Sequence, residues 1–186
     1  MFKDQSLIPA EATRLAALGF LAELPLSYAE LATRVRHLTS RVAGPSLDLI
    51  SAPLELLRFE GLVLAEGDEA APAEQRRLSL TERGRAEFER LMQASVRAPV
   101  NDLGKLVIAL KLKFLHLVTA ADAARQADLL VELNERELAR LRDLRASEGE
   151  GIGHLAGWLD LEIAAVAGRL DWFRALRDRV SESTPT

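Results

Sequence analysis

The sequence predicts a mainly α-helical chain. An N-terminal winged helix-turn-helix (three helices, a two-stranded wing, a fourth helix) is followed by a C-terminal region of long helices. Three observations predict it. A helical pattern stops at Gly61 and gives way at once to the short apolar run Leu62-Val63-Leu64-Ala65. Alternation resumes at Arg76-Arg77-Leu78-Ser79-Leu80 and runs into Thr81-Glu82-Arg83-Gly84, a helix start. Beyond Gly153, apolar residues recur at alternating spacings near three and four, the pattern of a coiled-coil seam.

The first eight residues read as a loose arm. Pro9 suits the first turn of a helix, where its missing N–H costs nothing, and Glu11 suits the positive end of the helix dipole. Leu15, Leu18, Leu21 and Leu24 follow at helical spacing until Pro25 stops the helix. Ser27 opens a second helix, with Glu30 completing a capping-box pattern and Tyr28, Leu31, Val35 and Leu38 marking the buried stripe. Gly44-Pro45 breaks the chain. A third helix carries Leu47, Ile50, Leu54 and Leu57. Ser46 is one candidate cap. Pro53 opens a second possibility, in which Ser51 or Ala52 caps and Pro53 sits in the first turn. In both cases Gly61 ends the helix in the left-handed conformation.

Leu62 to Ala65 reads as a strand, the polar stretch 67–75 as a loop, and Arg76 to Leu80 as the returning strand of a hairpin. Thr81 starts a fourth helix with Phe88, Leu91 and Met92 inward. The first domain therefore covers 9–95, and a linker around Arg97-Ala98-Pro99 follows. The second domain, 100–181, begins with a fifth helix capped by Asn101 or Asp102 and running through Leu106, Leu110, Phe114 and Leu117. Thr119 caps a long sixth helix to about Arg145, with Leu130, Leu133, Leu138, Leu141 and Leu144 apolar. After a Gly-rich break at 147–153, the last helix carries Leu155, Leu159, Ile163 or Glu162, Val166, Leu170, Phe173 and Val180. Two long amphipathic helices leave a stripe uncovered when they pair only with each other. The sequence thus predicts a homodimer through these helices, with two-fold symmetry.

Composition narrows the function classes. Hydrophobic residues make up 48% of the 186, enough to bury a core. The absence of cysteine excludes disulfides, thiolate nucleophiles and cysteine-based zinc sites. No leader-like apolar run follows Lys3 and Asp4, and no stretch approaches the ~18 apolar residues needed to span a bilayer. A soluble cytoplasmic protein without a membrane partner is expected. Through Gln93 the chain has 11 basic and 14 acidic residues, so a nucleic-acid partner would have to be met by local basic patches.

Catalysis finds no constellation. His37, His116 and His154 are far apart and lack the i, i+4 ligand spacing, so no metal site is expected. His116, on an apolar helix, reads as a hydrogen-bonded core residue. No Gly-x-Ser-x-Gly elbow exists. The glycines at 149–153 lie between helices rather than after a strand, which makes them a turn and not a phosphate loop. The expectation is a non-enzyme with no cofactor.

Leu54-Glu55-Leu56-Leu57-Arg58-Phe59-Glu60-Gly61-Leu62-Val63 resembles the Gly-Leu-Val run of the PadR family of transcriptional regulators. Leu78-Ser79-Leu80-Thr81-Glu82-Arg83-Gly84-Arg85 resembles that family's wing-closing strand and its Thr-x-x-Gly turn. Lys111 to Leu115, Leu133 to Leu144 and Leu170-Asp171-Trp172-Phe173 resemble its C-terminal helices. The likeness spans about Pro9 to Val180. It departs at Ser51, where the family usually has Tyr, at Glu55, and at the acidic wing tip Gly67-Asp68-Glu69. The resemblance implies a dimeric regulator that binds double-stranded DNA. It also implies a cavity for planar aromatic effectors, for which Phe114, Trp158 and Trp172 are the candidates.

Phosphate contact needs cations, and base reading needs polar side chains on the inserted helix. The candidates are Ser46, Ser51 and Arg58 in the third helix, with Arg34, Arg36 and Arg41 before it and Arg76 and Arg77 at the wing base. Asp48 and Glu55 are weaker candidates as acceptors from cytosine. The acids Asp48, Glu55 and Glu60 and the acidic wing leave a second reading open: a winged-helix protein-interaction module that does not bind DNA.

Overall fold

The computed structural model describes residues 6–44, 51–66, 76–148 and 153–182. The chain forms two compact units, Met1–Val118 and Thr119–Thr186.

The first unit is built around helix α1 (Pro9–Glu23). The Ile8 N–H donates to Glu11 Oε2 at 3.1 Å, which fixes its start. Ala12, Thr13 and every residue from Leu15 to Leu21 are buried, so α1 is the central helix of the unit. Its small residues permit this: a Cβ added to Gly19 would lie 2.3 Å from the Phe114 ring.

Strand β1 (Leu26–Ser27) leads into α2 (Tyr28–Ala43). The predicted capping box is present. The Glu30 N–H donates to Ser27 Oγ at 3.3 Å, and the Ser27 N–H donates to Glu30 Oε2 at 2.8 Å. Helix α3 (Ser51–Phe59) follows, with Leu54 and Leu57 buried. Its described range puts Pro53 in the first turn, where a proline is tolerated. The candidate residues Ser46 and Asp48 lie outside the described residues.

The end of α3 is a Schellman motif. Gly61 sits at φ +69°, the Gly61 N–H donates to the Arg58 carbonyl at 3.0 Å, and the Leu62 N–H donates to the Leu57 carbonyl at 2.9 Å. The chain then enters the antiparallel hairpin of β2 (Val63–Glu66) and β3 (Arg77–Leu80), with Val63 opposite Leu80 and Glu66 opposite Arg77. The sequence predicted two strands. The sheet has three, in the order β1-β3-β2, because Leu26 and Ser27 pair with the free edge of β3 at Leu78 and Arg77. The acidic stretch 67–75 lies outside the described residues.

Helix α4 (Glu82–Met92) is capped by Thr81, whose Oγ1 accepts from the Gly84 N–H at 3.0 Å. Helix α5 (Asp102–Phe114) is capped by Asn101, whose Oδ1 accepts from the Gly104 N–H at 2.8 Å. The sequence grouped α5 with the C-terminal helices. Its Leu106, Leu110 and Phe114 instead join the same core as α1 and α4. A short 3-10 turn (Leu115–Leu117) ends it. That turn breaks the helical period on which a buried His116 depended: its side chain is 61% exposed, 4.0 Å from Glu23.

The second unit is a helical hairpin of α6 (Ala120–Glu148) and α7 (Leu155–Glu182). Thr119 caps α6 by accepting from the Asp122 N–H at 3.1 Å. The ion pairs Arg145–Asp160 at 2.9 Å, near the turn, and Arg174–Glu135 at 2.9 Å, far from it, fix the antiparallel register. Leu159, Val166, Leu170 and Phe173 of α7 are buried, as the seam predicted, and so are Leu130, Leu133, Leu138 and Leu141 of α6.

Candidate nucleic-acid interface

In this fold α2, α3 and the β2–β3 hairpin form a winged helix-turn-helix. Its joint is tied by backbone and hydroxyl bonds. Thr81 Oγ1 donates to the Gly61 carbonyl at 2.8 Å, and the Thr81 N–H donates to the Leu62 carbonyl at 3.1 Å. The two motifs read separately in the sequence, Glu-Gly-Leu and Thr-x-x-Gly, therefore meet at one place. There the end of α3, the start of the hairpin and the start of α4 are fixed together.

The structure leaves most of the predicted cations exposed. Arg34, Arg36 and Arg41 lie on the solvent side of α2, away from the buried Leu31, Val35 and Thr39. Arg58 is exposed in the last turn of α3. Arg77 is exposed on β3, where its guanidinium donates to the Pro25 carbonyl at 3.1 Å, while Arg76 is half-buried. Arg34 and Arg77 come together near Glu30. That carboxyl is held below its usual range, first by the Ser27 N–H and hydroxyl and then by these two guanidiniums. Ser51 opens α3, though its side chain, like that of Glu55, is outside what is described. Glu60, counted from the sequence among the acids of the reading segment, is ion-paired to Arg14 of α1 at 2.8 Å.

Phe114 is wholly buried in the first unit, edge-on to Phe20 at 5.5 Å and to Phe88 at 6.1 Å between ring centres. Its faces are filled by core side chains, so it cannot stack on a ligand without repacking. Trp158 and Trp172 belong to the second unit and are 54% and 49% exposed. Among the described residues, no group of three His, Asp or Glu side chains is placed to hold a metal ion. No helix among them is long and apolar enough to cross a membrane.

The sequence reading passed over Arg14. The available signal was its place as the one basic residue of α1, a helix whose Leu15 to Leu21 run is apolar.

A family model for AphA-like transcriptional regulators matches residues 2–177, nearly the whole chain. The chain belongs to the AphA-like transcriptional regulators. The family is one of regulators and not of enzymes. Among solved structures the chain is similar to the PadR-like transcriptional regulator BC1756 from Bacillus cereus, at 20% identity, covering 92% of this chain and 99% of that one, with a TM-score of 0.39. It is also similar to Bacillus subtilis PadR in complex with operator DNA, at 16% identity, covering 90% and 98%, with a TM-score of 0.38. A third is Bacillus subtilis PadR in complex with p-coumaric acid, at 14% identity, covering 95% and 99%, with a TM-score of 0.35. No curated protein matches the chain.

Proposed function

We propose that this AphA-like regulator acts in the cytoplasm as a homodimer that sets two winged helices into successive major grooves of a pseudo-palindromic operator. The observation that carries the reading is the set of exposed arginines carried by a folded helix-turn-helix and its wing: Arg34, Arg36 and Arg41 on α2, Arg58 on α3, and Arg77 at the wing base. Cations so placed meet phosphates, and the exposed face of α3 supplies the base contacts. The chain's net charge of −4 makes this local arrangement, rather than bulk attraction, the source of affinity. Ser46 and Ser51 complete the proposed contact set.

The dimer reading draws support from the second unit, where Leu155, Trp158, Leu161 and Trp172 are large, apolar and exposed on α7. A second copy would cover them. A planar aromatic effector stacking on Trp158 or Trp172 and altering the spacing of the two winged helices is the proposed mode of control.

An electrophoretic shift with a duplex from upstream of the protein's own gene tests the DNA reading. Retarded complexes that weaken as salt rises support it, and no retardation even at low salt sinks it. One observation favours the second reading, a protein-interaction module. Phe59 of α3 is 89% exposed and Leu56 is exposed beside it, and such side chains suit a protein surface better than a phosphate backbone.

A further inference from the structure

Arg14 is the centre of a charge network that joins three elements of the first unit. Its guanidinium reaches Glu60 at 2.8 Å, at the C-terminal end of α3, and Glu87 of α4 at 3.3 Å. Glu87 in turn holds Arg90 at 2.7 Å, and Arg90 returns to Glu11 of α1 at 3.5 Å. The Glu87 carboxyl is held below its usual range, first by Arg90 and, against the cost of its own burial, by Arg14 as well.

The place of Glu60 makes this more than a surface ion pair. Glu60 is the last residue before the left-handed Gly61, and its own N–H donates to the Leu56 carbonyl at 2.8 Å. A carboxylate there faces the negative end of the α3 dipole and its terminal carbonyls, an unfavourable position for an anion. Arg14 supplies the compensating cation from α1, the most buried helix of the unit. Without it, Glu60 would repel both the helix end and Glu87, and α3 could relieve that repulsion only by moving away from α1 and α4.

We infer that Arg14 is a positioning residue: it touches no DNA, but by clamping Glu60 and Glu87 it fixes the pose of the reading helix α3 and of the wing that leaves it. The inference rests on the DNA reading above. It distinguishes two properties that a merely structural residue would lose together, since phosphate affinity depends on cations elsewhere while discrimination between sequences depends on how α3 meets the bases.

The test begins with the full-length protein and a random duplex library, from which repeated rounds of binding select an enriched sequence. Affinities for that duplex and for a scrambled one are then compared for the wild type, Arg14→Met and Arg14→Lys, with thermal melts alongside. Arg14→Met should lower the discrimination ratio roughly tenfold. Affinity for the scrambled duplex should change little, the melting temperature should fall by only a few degrees, and Arg14→Lys should restore part of the ratio. Introduced into Glu60→Gln, Arg14→Met should cost less than it does alone, because its main partner is already neutral. If Arg14→Met fails to fold, the isosteric Glu60→Gln takes its place, with a smaller loss of discrimination expected, because it opens the clamp without leaving an uncompensated carboxylate. A wild type that selects no sequence overturns the DNA reading and this inference with it. A wild type that discriminates, with variants that discriminate equally well, overturns the inference alone.

Discussion

The Leu62 carbonyl oxygen occupies the space that a side chain at position 84 would need: a Cβ built on Gly84 would lie 2.0 Å from it. Gly84 is buried in the first turn of α4, and Leu62 is the residue that turns α3 into the wing. The same Leu62 oxygen accepts the Thr81 N–H at 3.1 Å. The glycine is needed here for closeness. The constraint is packing of backbone on backbone, at the joint that sets the geometry between helix and wing.

Gly84→Ala should therefore destabilise the first unit by about 3 kcal/mol, since the obstructing atom is backbone and cannot rotate away. Gly168→Ala provides the contrast. That glycine lies inside α7 with nothing within 4 Å of its added Cβ, so the change should stabilise the second unit by roughly 0.5–1 kcal/mol through helix propensity. Urea titrations of the two variants check both signs. An unaffected Gly84→Ala would show that the joint yields more readily than the geometry allows.

Lys111 gives the stability a pH dependence with a defined sign. It is buried on α5, its ammonium donates to the Met92 carbonyl at the end of α4, and burial pushes its pKa from the ordinary 10.5 down to about 7. Between those values the unfolded chain binds the proton and the folded chain has released it. Stability should therefore rise with pH from about 7 toward 10.5, with a limiting slope of about 1.4 kcal/mol per pH unit. Below that window the folded state bears the full cost of a buried ammonium. Lys111→Met keeps the stem and should remove the rise. Denaturant midpoints at pH 6.5 and pH 9 that shift equally in both proteins would refute the assignment.

Arg36 and Arg41 carry the cleanest test of phosphate binding. Both are exposed on α2, and among the described residues neither forms an ion pair; Arg41 lies in the last turn, where its charge favours the helix dipole, so reversing both should cost about 1 kcal/mol of stability. The double variant Arg36→Glu, Arg41→Glu should weaken binding to every duplex alike. It should also flatten the salt dependence by about one ion for each phosphate no longer neutralised. Arg77→Glu also removes the bond to the Pro25 carbonyl, so it should lower both binding and stability. Fluorescence titrations across a salt series read the first effect, and thermal melts the second.

The exposed α7 surface should behave as an interface. Trp158→Glu with Leu161→Glu places two charges where 54% and 65% of two apolar side chains stand open. Sedimentation at micromolar protein should give a dimer for the wild type and a monomer for the double variant, with helix content retained. A wild-type monomer would remove the dimer from the proposal.

What the sequence determined was whatever depends on neighbours three or four residues away. The caps at Ser27, Thr81 and Thr119 and the left-handed stop at Gly61 were legible, and the cap of α5 was narrowed to Asn101 or Asp102, because the hydroxyl, amide or missing Cβ acts on its own turn. The α7 seam at Leu159, Val166, Leu170 and Phe173 was legible for the same reason. So were the exposed arginines of α2, since a helix with one buried stripe must turn its other side to solvent. Tertiary structure decided what depends on distant partners. Strand β1 is two residues long and exists only because β3 offers an open edge about 50 residues on. The packing of α5, the burial of Phe114 and Lys111 within it, and the closeness of Gly84 to Leu62 follow from contacts between elements that no local pattern encodes. Arg14 shows the difference most directly. In sequence it is the one basic residue of α1, and only folding brings Glu60 and Glu87 to it from beyond that helix.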